Sequence, residues 1–282
     1  MRDEILQYLA APPDGVVLEA TAGLGGHTSA IAERMTTGFV IACDRDAESL
    51  EIAKRTTAEW APRIRYCQAN FSELGTVLPA HGVQKADGLL ADLGASHHQL
   101  VDDTERGFSL QADGPLDMRM DRSQELTAAG IVNTTAEKAL ADLLFQFGQE
   151  RRARRIARAI VRARPIQSTL HLARVVERAA PRTGRLHPAT QTFMALRIAV
   201  NSEQEELQGL LDLIPELVRA GGRVVIISFM SLEDARVKRA FQGLARQGRA
   251  KLLTKHVLRP AEEEVRINAA SRSAKLRALE LL

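Results

Sequence analysis

Along the first hundred residues, apolar side chains gather into short runs at 16–20, 39–44, 64–68 and 88–93, rich in Val, Ile, Leu and Ala. Segments of helical spacing, such as 28–34 and 47–55, lie between them. Alternation of this kind predicts βαβ units and a parallel sheet. After residue 93 the pattern changes. Roughly a hundred residues carry no strand signal, only helical periods near 136–147, 150–164, 169–179 and 190–201. The sheet pattern returns at 222–229, 250–257 and 274–282, after a helix over 203–219. The expectation is an α/β protein whose sheet domain is discontinuous, residues 1–95 and 193–282, around a helical insertion at 96–192.

A chain of 282 residues can bury a full core as one large domain or as one domain with an insertion. Its 38 Lys and Arg against 35 Asp and Glu leave a net charge of only +3, compatible with a nucleic-acid partner without requiring one. Cys43 and Cys67, the only cysteines, each sit in an apolar strand run and read as buried, reduced thiols. No apolar stretch approaches the roughly 20 residues that span a bilayer. The opening Met1-Arg2-Asp3-Glu4 is unlike a secretory signal. The reading is a soluble, cytoplasmic protein with no membrane partner, and no metal-ligand set is expected.

The first strand run leads into Gly23, Gly25 and Gly26. A tight glycine turn at the carboxyl edge of a sheet is where open α/β folds bind ligands. Thr28 stands where the dinucleotide fingerprint has its third glycine, so the turn alone does not separate a ligand loop from an ordinary strand-to-helix turn. Asp44 ends the second strand roughly 20 residues on, the position from which a carboxylate accepts both ribose hydroxyls. The competing role is capping of the next helix, which Asp46 or Ser49 could fill instead. Glu19, Asp44 and Asp92 all fall at strand carboxyl ends. Three carboxylates repel a pyrophosphate and suit a cation, which favours S-adenosylmethionine, with its sulfonium and ammonium, over NAD.

The stretch Gly114-Pro115-Leu116-Asp117-Met118-Arg119-Met120-Asp121 alternates charge with methionine and reads as a functional loop. If it is extended, successive side chains point to opposite faces. Asp117, Arg119 and Asp121 then share one face toward substrate, while Met118 and Met120 seat the loop on the protein.

These motifs are joined by 21–28, by Asp92-Leu93-Gly94 with Ser96 and Gln99-Leu100, and by Glu105-Arg106-Gly107-Phe108-Ser109. His187-Pro188-Ala189-Thr190, Val200-Asn201-Ser202-Glu203 and Ser231-Leu232-Glu233-Asp234 follow, in order, over essentially the whole chain. Together they closely resemble the bacterial small-subunit rRNA methyltransferase H family, also known as MraW. The resemblance implies a Rossmann-like S-adenosylmethionine-dependent methyltransferase sheet with an inserted helical substrate-recognition domain. It implies methyl transfer to N4 of a cytidine in the decoding centre of 16S rRNA, within the small ribosomal subunit. The cofactor contacts it implies are Gly25, Gly26, His27, Asp44, Phe71, Asp92 and Gln99. The sequence departs from the family pattern in opening without a His-x-Pro-Val segment, in Ser96-His97-His98 where Ser-Ser-Pro is common, and at Met230, Ala235, Ala269 and Ala270. A catalytically weakened, cofactor-binding assembly factor of the same fold is therefore the alternative. Oligomeric state, monomer or homodimer, stays open.

Methyl transfer from a sulfonium is a direct displacement, so the protein's task is to align the acceptor amine. The N4 lone pair is delocalised into the ring, and an acceptor for its proton, or a dipole localising the pair, helps. Asp92 is assigned to the cofactor side, and acceptor positioning to Asp117, Arg119, Asp121, Asn201 and Ser228. Methylation at C5 instead needs a cysteine near the fourth-strand loop, and Cys43 and Cys67 lie in other strands. Arg151, Arg154, Arg155, Arg158 and Arg162 follow helical spacing, with Ile156, Ala157, Ile160 and Val161 opposite. Such a stripe either tracks RNA phosphates or is a solvated face. Phe108, Phe193 and Phe229 are candidates to receive a base drawn from its stack.

Overall fold

The computed structural model describes residues 1–96, 98–99, 103–110, 112–182 and 187–282. His97 and Leu100, named above, lie outside the described residues. The chain divides into two compact units, Met1–Gly94 with Gln204–Leu282, and Ala95–Glu203.

The first unit is built on a seven-stranded sheet of order β3-β2-β1-β4-β5-β7-β6. Its strands are β1 (Val16–Glu19), β2 (Phe39–Asp44), β3 (Ile64–Gln68), β4 (Ala86–Asp92), β5 (Val218–Ser228), β6 (Ala250–Leu252) and β7 (Lys275–Leu281). The first five run parallel, while β7 lies antiparallel between β5 and β6. The parallel sheet expected from the alternation therefore holds for β1 to β5. Reversal of β7 follows from its connection: β6 already ends toward the carboxyl edge, so the chain re-enters the sheet from there. Strand pattern predicted over 250–257 stops at Leu252, because the Thr254 hydroxyl takes over as acceptor for the Ala278 N–H, at 3.0 Å.

Alternate residues of each strand feed two cores. On one face Leu18, Ile41, Leu89, Val224 and Leu279 pack under α4 (Leu74–Ala80), α10 (Glu203–Leu217) and α11 (Ser231–Arg246). On the other, Val17, Val40, Leu90, Val225 and Leu276 meet α1 (Arg2–Leu9), α2 (Gly26–Ala32) and α3 (Ala47–Thr56). Each fully buried Leu, Ile or Val contributes about 1.5–3 kcal/mol from removal of apolar surface from water. The short α12 (Glu262–Ile267) precedes β7.

The second unit is helical: α5 (Ala128–Thr134), α6 (Glu137–Gly148), α7 (Ala153–Arg162), α8 (Thr169–Ala179) and α9 (Thr190–Val200). Leu140 and Leu144 of α6, Ile156 and Ile160 of α7, Leu172 and Val176 of α8, and Leu196 of α9 form its core. Gly148 lets α6 and α9 approach, since a Cβ there would sit 2.4 Å from the Gln191 carbonyl oxygen. That packing carries α9 with the helical unit as far as Glu203, where the apolar pattern had suggested a return to the sheet domain at 193.

Candidate functional site

Every crossover in a parallel sheet returns the chain at the same edge, so loops that follow β1, β2, β3, β4 and β5 gather at the carboxyl edge. Three carboxylates are held there. Glu19 is fully buried, and its Oε2 accepts the Thr28 hydroxyl at 2.6 Å. Its Oε1 is buried with no hydrogen-bond partner. Burial outweighs the Thr28 bond and pushes the Glu19 carboxyl up to about 7. Asp44 Oδ2 accepts the Gly23 N–H at 2.8 Å and Oδ1 the Asp46 N–H at 2.9 Å, so this carboxylate braces the glycine turn. Burial lifts it to about 6 against those two bonds. Helix capping falls to Asp46, which accepts the Glu48 N–H at 3.0 Å and the Ser49 hydroxyl at 2.9 Å. Asp44 is thus spared the capping role, and its oxygens keep lone pairs for further donors.

Asp92 closes β4. Its N–H donates to the Thr21 hydroxyl at 2.7 Å, its Oδ2 lies 3.4 Å from His27 Nε2, and its Oδ1 is buried without a partner. Burial opposes protonation of His27, but the Asp92 carboxylate overcomes it and the imidazole is held above its ordinary range. Gly25 has φ +89°, and a Cβ there would meet the Thr57 methyl at 2.6 Å, so the turn requires glycine. Gly26 begins α2, and Phe71 opens a 3-10 turn after β3, half-buried against the core. Gly25, Gly26, His27, Asp44, Phe71 and Asp92 are therefore brought to one sheet edge, where buried Ser228 also ends β5. Gln99 belongs to the helical unit; its Oε1 accepts the Ser96 N–H at 3.0 Å. Two orphaned buried acceptors on Glu19 and Asp92 fit a cationic group that carries N–H donors. They do not fit a pyrophosphate.

The loop 114–121 is not extended: Met118 has φ +61°. Left-handed geometry there breaks the two-residue alternation expected of a strand. Met118 and Met120 are nonetheless buried in the helical core. Asp117 and Arg119 still meet, with Arg119 Nε 2.7 Å from Asp117 Oδ1 and Nη2 2.7 Å from Oδ2. Desolvation works against the Asp117 charge, yet the Arg119 guanidinium holds its carboxyl below the usual range. Arg119 also donates to the Arg122 and Gln124 carbonyls at 3.0 and 2.6 Å, so its guanidinium acts as a loop clasp. Asp121 Oδ1 accepts the Ser123 N–H at 2.9 Å. Asn201 is fully buried; its Nδ2 donates to the Met118 carbonyl at 2.7 Å and its Oδ1 accepts the Met120 N–H at 2.8 Å.

The sequence reading gave no role to Arg106. It is buried, pairs with Asp103 at 3.0 Å, and donates to the Arg119 and Met120 carbonyls at 3.2 and 3.0 Å. An isolated arginine beside Gly107 has no periodicity to announce such a place; only the glycine is a signal. Gly107 has φ +69°, and a Cβ there would sit 1.9 Å from the Pro115 carbonyl oxygen.

On α7, Arg154, Arg155 and Arg158 are exposed opposite buried Ile156, Ala157 and Ile160, with Arg158 3.3 Å from Glu137. Arg151 is exposed just ahead of the helix. Phe108 and Phe193 are core residues of the helical unit, and Phe229 packs half-buried on the sheet. Cys43 is buried as expected, but Cys67 is half-exposed because β3 is the edge strand. A Cys43 thiol hydrogen bond, with His81 beyond, lowers the Cys67 thiol to about 6. No helix among the described residues is long and apolar enough to cross a membrane.

The sequence model of the MraW methylase family matches residues 1–282. The chain belongs to that family. It is 60% identical over 281 residues to a protein of Solibacter usitatus, covering 100% of this chain and 98% of the relative. To one of Acidobacterium capsulatum it is 49% identical over 287 residues, covering 98% and 95%. Both relatives bear the name ribosomal RNA small subunit methyltransferase H. S-adenosyl-L-methionine is the cofactor of this methylase, in accord with the acidic sheet edge.

Proposed function

We propose that the protein transfers a methyl group from S-adenosylmethionine to N4 of a cytidine in the decoding centre of 16S rRNA, acting on the small ribosomal subunit. The relatives' shared name supports the rRNA substrate. The observation that carries the chemistry is the pair of orphaned, buried carboxylate oxygens on Glu19 and Asp92 at the sheet edge.

When bound, the cofactor supplies an electrophilic methyl on a positively charged sulfur. Glu19 and Asp92 would hold its cationic end, and Asp44 its ribose hydroxyls, beside the turn at Gly25 and Gly26. His27, whose imidazole Asp92 holds above its ordinary range, would fix that carboxylate's orientation. In the helical unit, Arg106 and Asn201 hold the backbone of 118–120, and Arg119 keeps Asp117 ionised. A carboxylate held low accepts a hydrogen bond well and takes a proton poorly. In this reading Asp117 offers the substrate a hydrogen-bond acceptor on the helical unit; as the N4–methyl bond forms and the sulfur–methyl bond breaks, the N4 proton leaves to water. The exposed arginines of α7 meet RNA phosphates, and the helical unit recognises the substrate. Small subunits lacking the mark, incubated with protein and cofactor, should yield N4-methylcytidine on nucleoside mass spectrometry. A product methylated only at C5 or on another base would refute the assignment.

A further inference from the structure

Between α10 and α11, a groove of about 380 Å³ opens on the sheet unit. Gln208 and Asp212 line one side, Arg236 and Arg239 the other, with Arg249 beyond the end of α11. Helix α10 leads into the amino end of β5, and α11 descends from its carboxyl end toward β6. The end of the groove formed by Pro215 and Arg249 therefore lies toward the amino edge, away from the carboxylates of the cofactor edge.

No ion pair among the described residues engages Arg236, Arg239 or Arg249. The acids on α11 are committed elsewhere: Asp234 pairs with Arg277 at 2.7 Å, and Glu233 accepts the Met230 N–H at 3.1 Å. Asp212, the one carboxylate lining the groove, accepts from Gln208 Nε2 at 2.9 Å. Arg236 Nε is buried and has no hydrogen-bond partner. Lys85 Nζ reaches the Pro215 carbonyl on the rim at 2.8 Å and adds another cation.

We propose that this groove binds phosphodiester groups of the RNA substrate, as a docking site separate from the cofactor edge. Guanidinium forks left without carboxylate partners match phosphate oxygens in pairs, and a buried Nε without an acceptor is completed by one. The proposal rests on the RNA-methylating reading above and extends it to a second surface.

The test compares the parent with R236Q/R239Q/R249Q, measuring affinity for small subunits across a KCl series together with cofactor affinity. The expected result is a log–log salt slope shallower by about 2 to 3, because each phosphate neutralised contributes about 0.9. Cofactor binding should be unchanged. An unchanged slope in a variant that still binds cofactor overturns the docking site. If the triple variant loses cofactor binding, R239Q/R249Q, confined to exposed residues, replaces it, with a slope loss of about 1 to 2 expected. A parent that methylates small subunits while the slope stays fixed refutes this inference alone; a parent that neither binds nor methylates them removes the functional reading as well.

Discussion

Glu19→Gln separates the cost of the buried carboxylate from its use. In the folded protein burial raises the Glu19 carboxyl from 4.5 to about 7, which corresponds to about 3 kcal/mol. The folded pKa lies above the unfolded one, so the associated stability is complete below pH 4.5 and is lost as pH rises through 7. Without cofactor, the parent should lose about 3 kcal/mol from this group between pH 4.5 and 8, whereas Glu19→Gln should lose none of it. Gln keeps an acceptor for the Thr28 hydroxyl. Any fixed cost of its amide cancels when each protein is compared with itself at the two pH values. Urea unfolding at both pH values, with parent and variant side by side, gives the difference directly. A gap between the two proteins of less than about 1 kcal/mol would contradict the burial argument. Calorimetry supplies the second half. A cationic cofactor favours ionised Glu19 and Asp44, so parent affinity should rise between pH 5.5 and 7.5 with proton release. Glu19→Gln should bind roughly tenfold more weakly at pH 8, about 1.4 kcal/mol. Equal affinity in the variant would mean that Glu19 serves only the fold.

Asp44→Asn should weaken S-adenosylmethionine by about 1.5–3 kcal/mol, the range for hydrogen bonds to a charged acceptor, and calorimetry showing parental affinity would remove Asp44 from the ribose site. Arg106→Met leaves Asp103 with Arg122 at 3.7 Å and strands two loop carbonyls, so urea unfolding should show a loss of about 2–4 kcal/mol; a loss under about 1 kcal/mol would refute the clasp. Replacing Arg154, Arg155 and Arg158 with Ala should flatten the salt dependence of small-subunit binding and spare cofactor affinity, and an unchanged slope would make that stripe a solvated face. With its thiol lowered to about 6, Cys67 should be alkylated by iodoacetamide at pH 7 well before buried Cys43; mass spectrometry finding both modified at one rate would contradict the assignment.

The sheet edge was legible because strand ends and carboxylates coincide locally: Glu19, Asp44 and Asp92 each close an apolar run, and the pattern alone puts them at one edge. Strand direction was less so. Nothing in the composition of 274–282 marks β7 as antiparallel, since direction depends on where β6 leaves the chain. The loop at 114–121 misled through its regular alternation. Its true shape depends on Arg106 and Asn201, the latter 83 residues from Met118, and no local pattern encodes a bond that distant. Burial of Met118 and Met120 was legible even so, because an apolar side chain on a charged loop needs somewhere to go. The groove lined by Arg236, Arg239 and Arg249 escaped notice for the opposite reason: its cations are spread over one helix and the turn after it, and their lack of ion-pair partners among the described residues is a property of the fold.

The central claim is that the acidic sheet edge of Glu19, Asp44 and Asp92 holds the methyl donor of a small-subunit rRNA methyltransferase. The most direct measurement uses small subunits lacking the mark, methylated with the parent or with Asp92→Asn and then digested to oligonucleotides for mass mapping. The account expects the parent to place one methyl group on N4 of a cytidine in a decoding-centre fragment, and Asp92→Asn to leave that fragment unmodified under the same conditions. A methyl group found elsewhere in the RNA, or full methylation by Asp92→Asn, would contradict it.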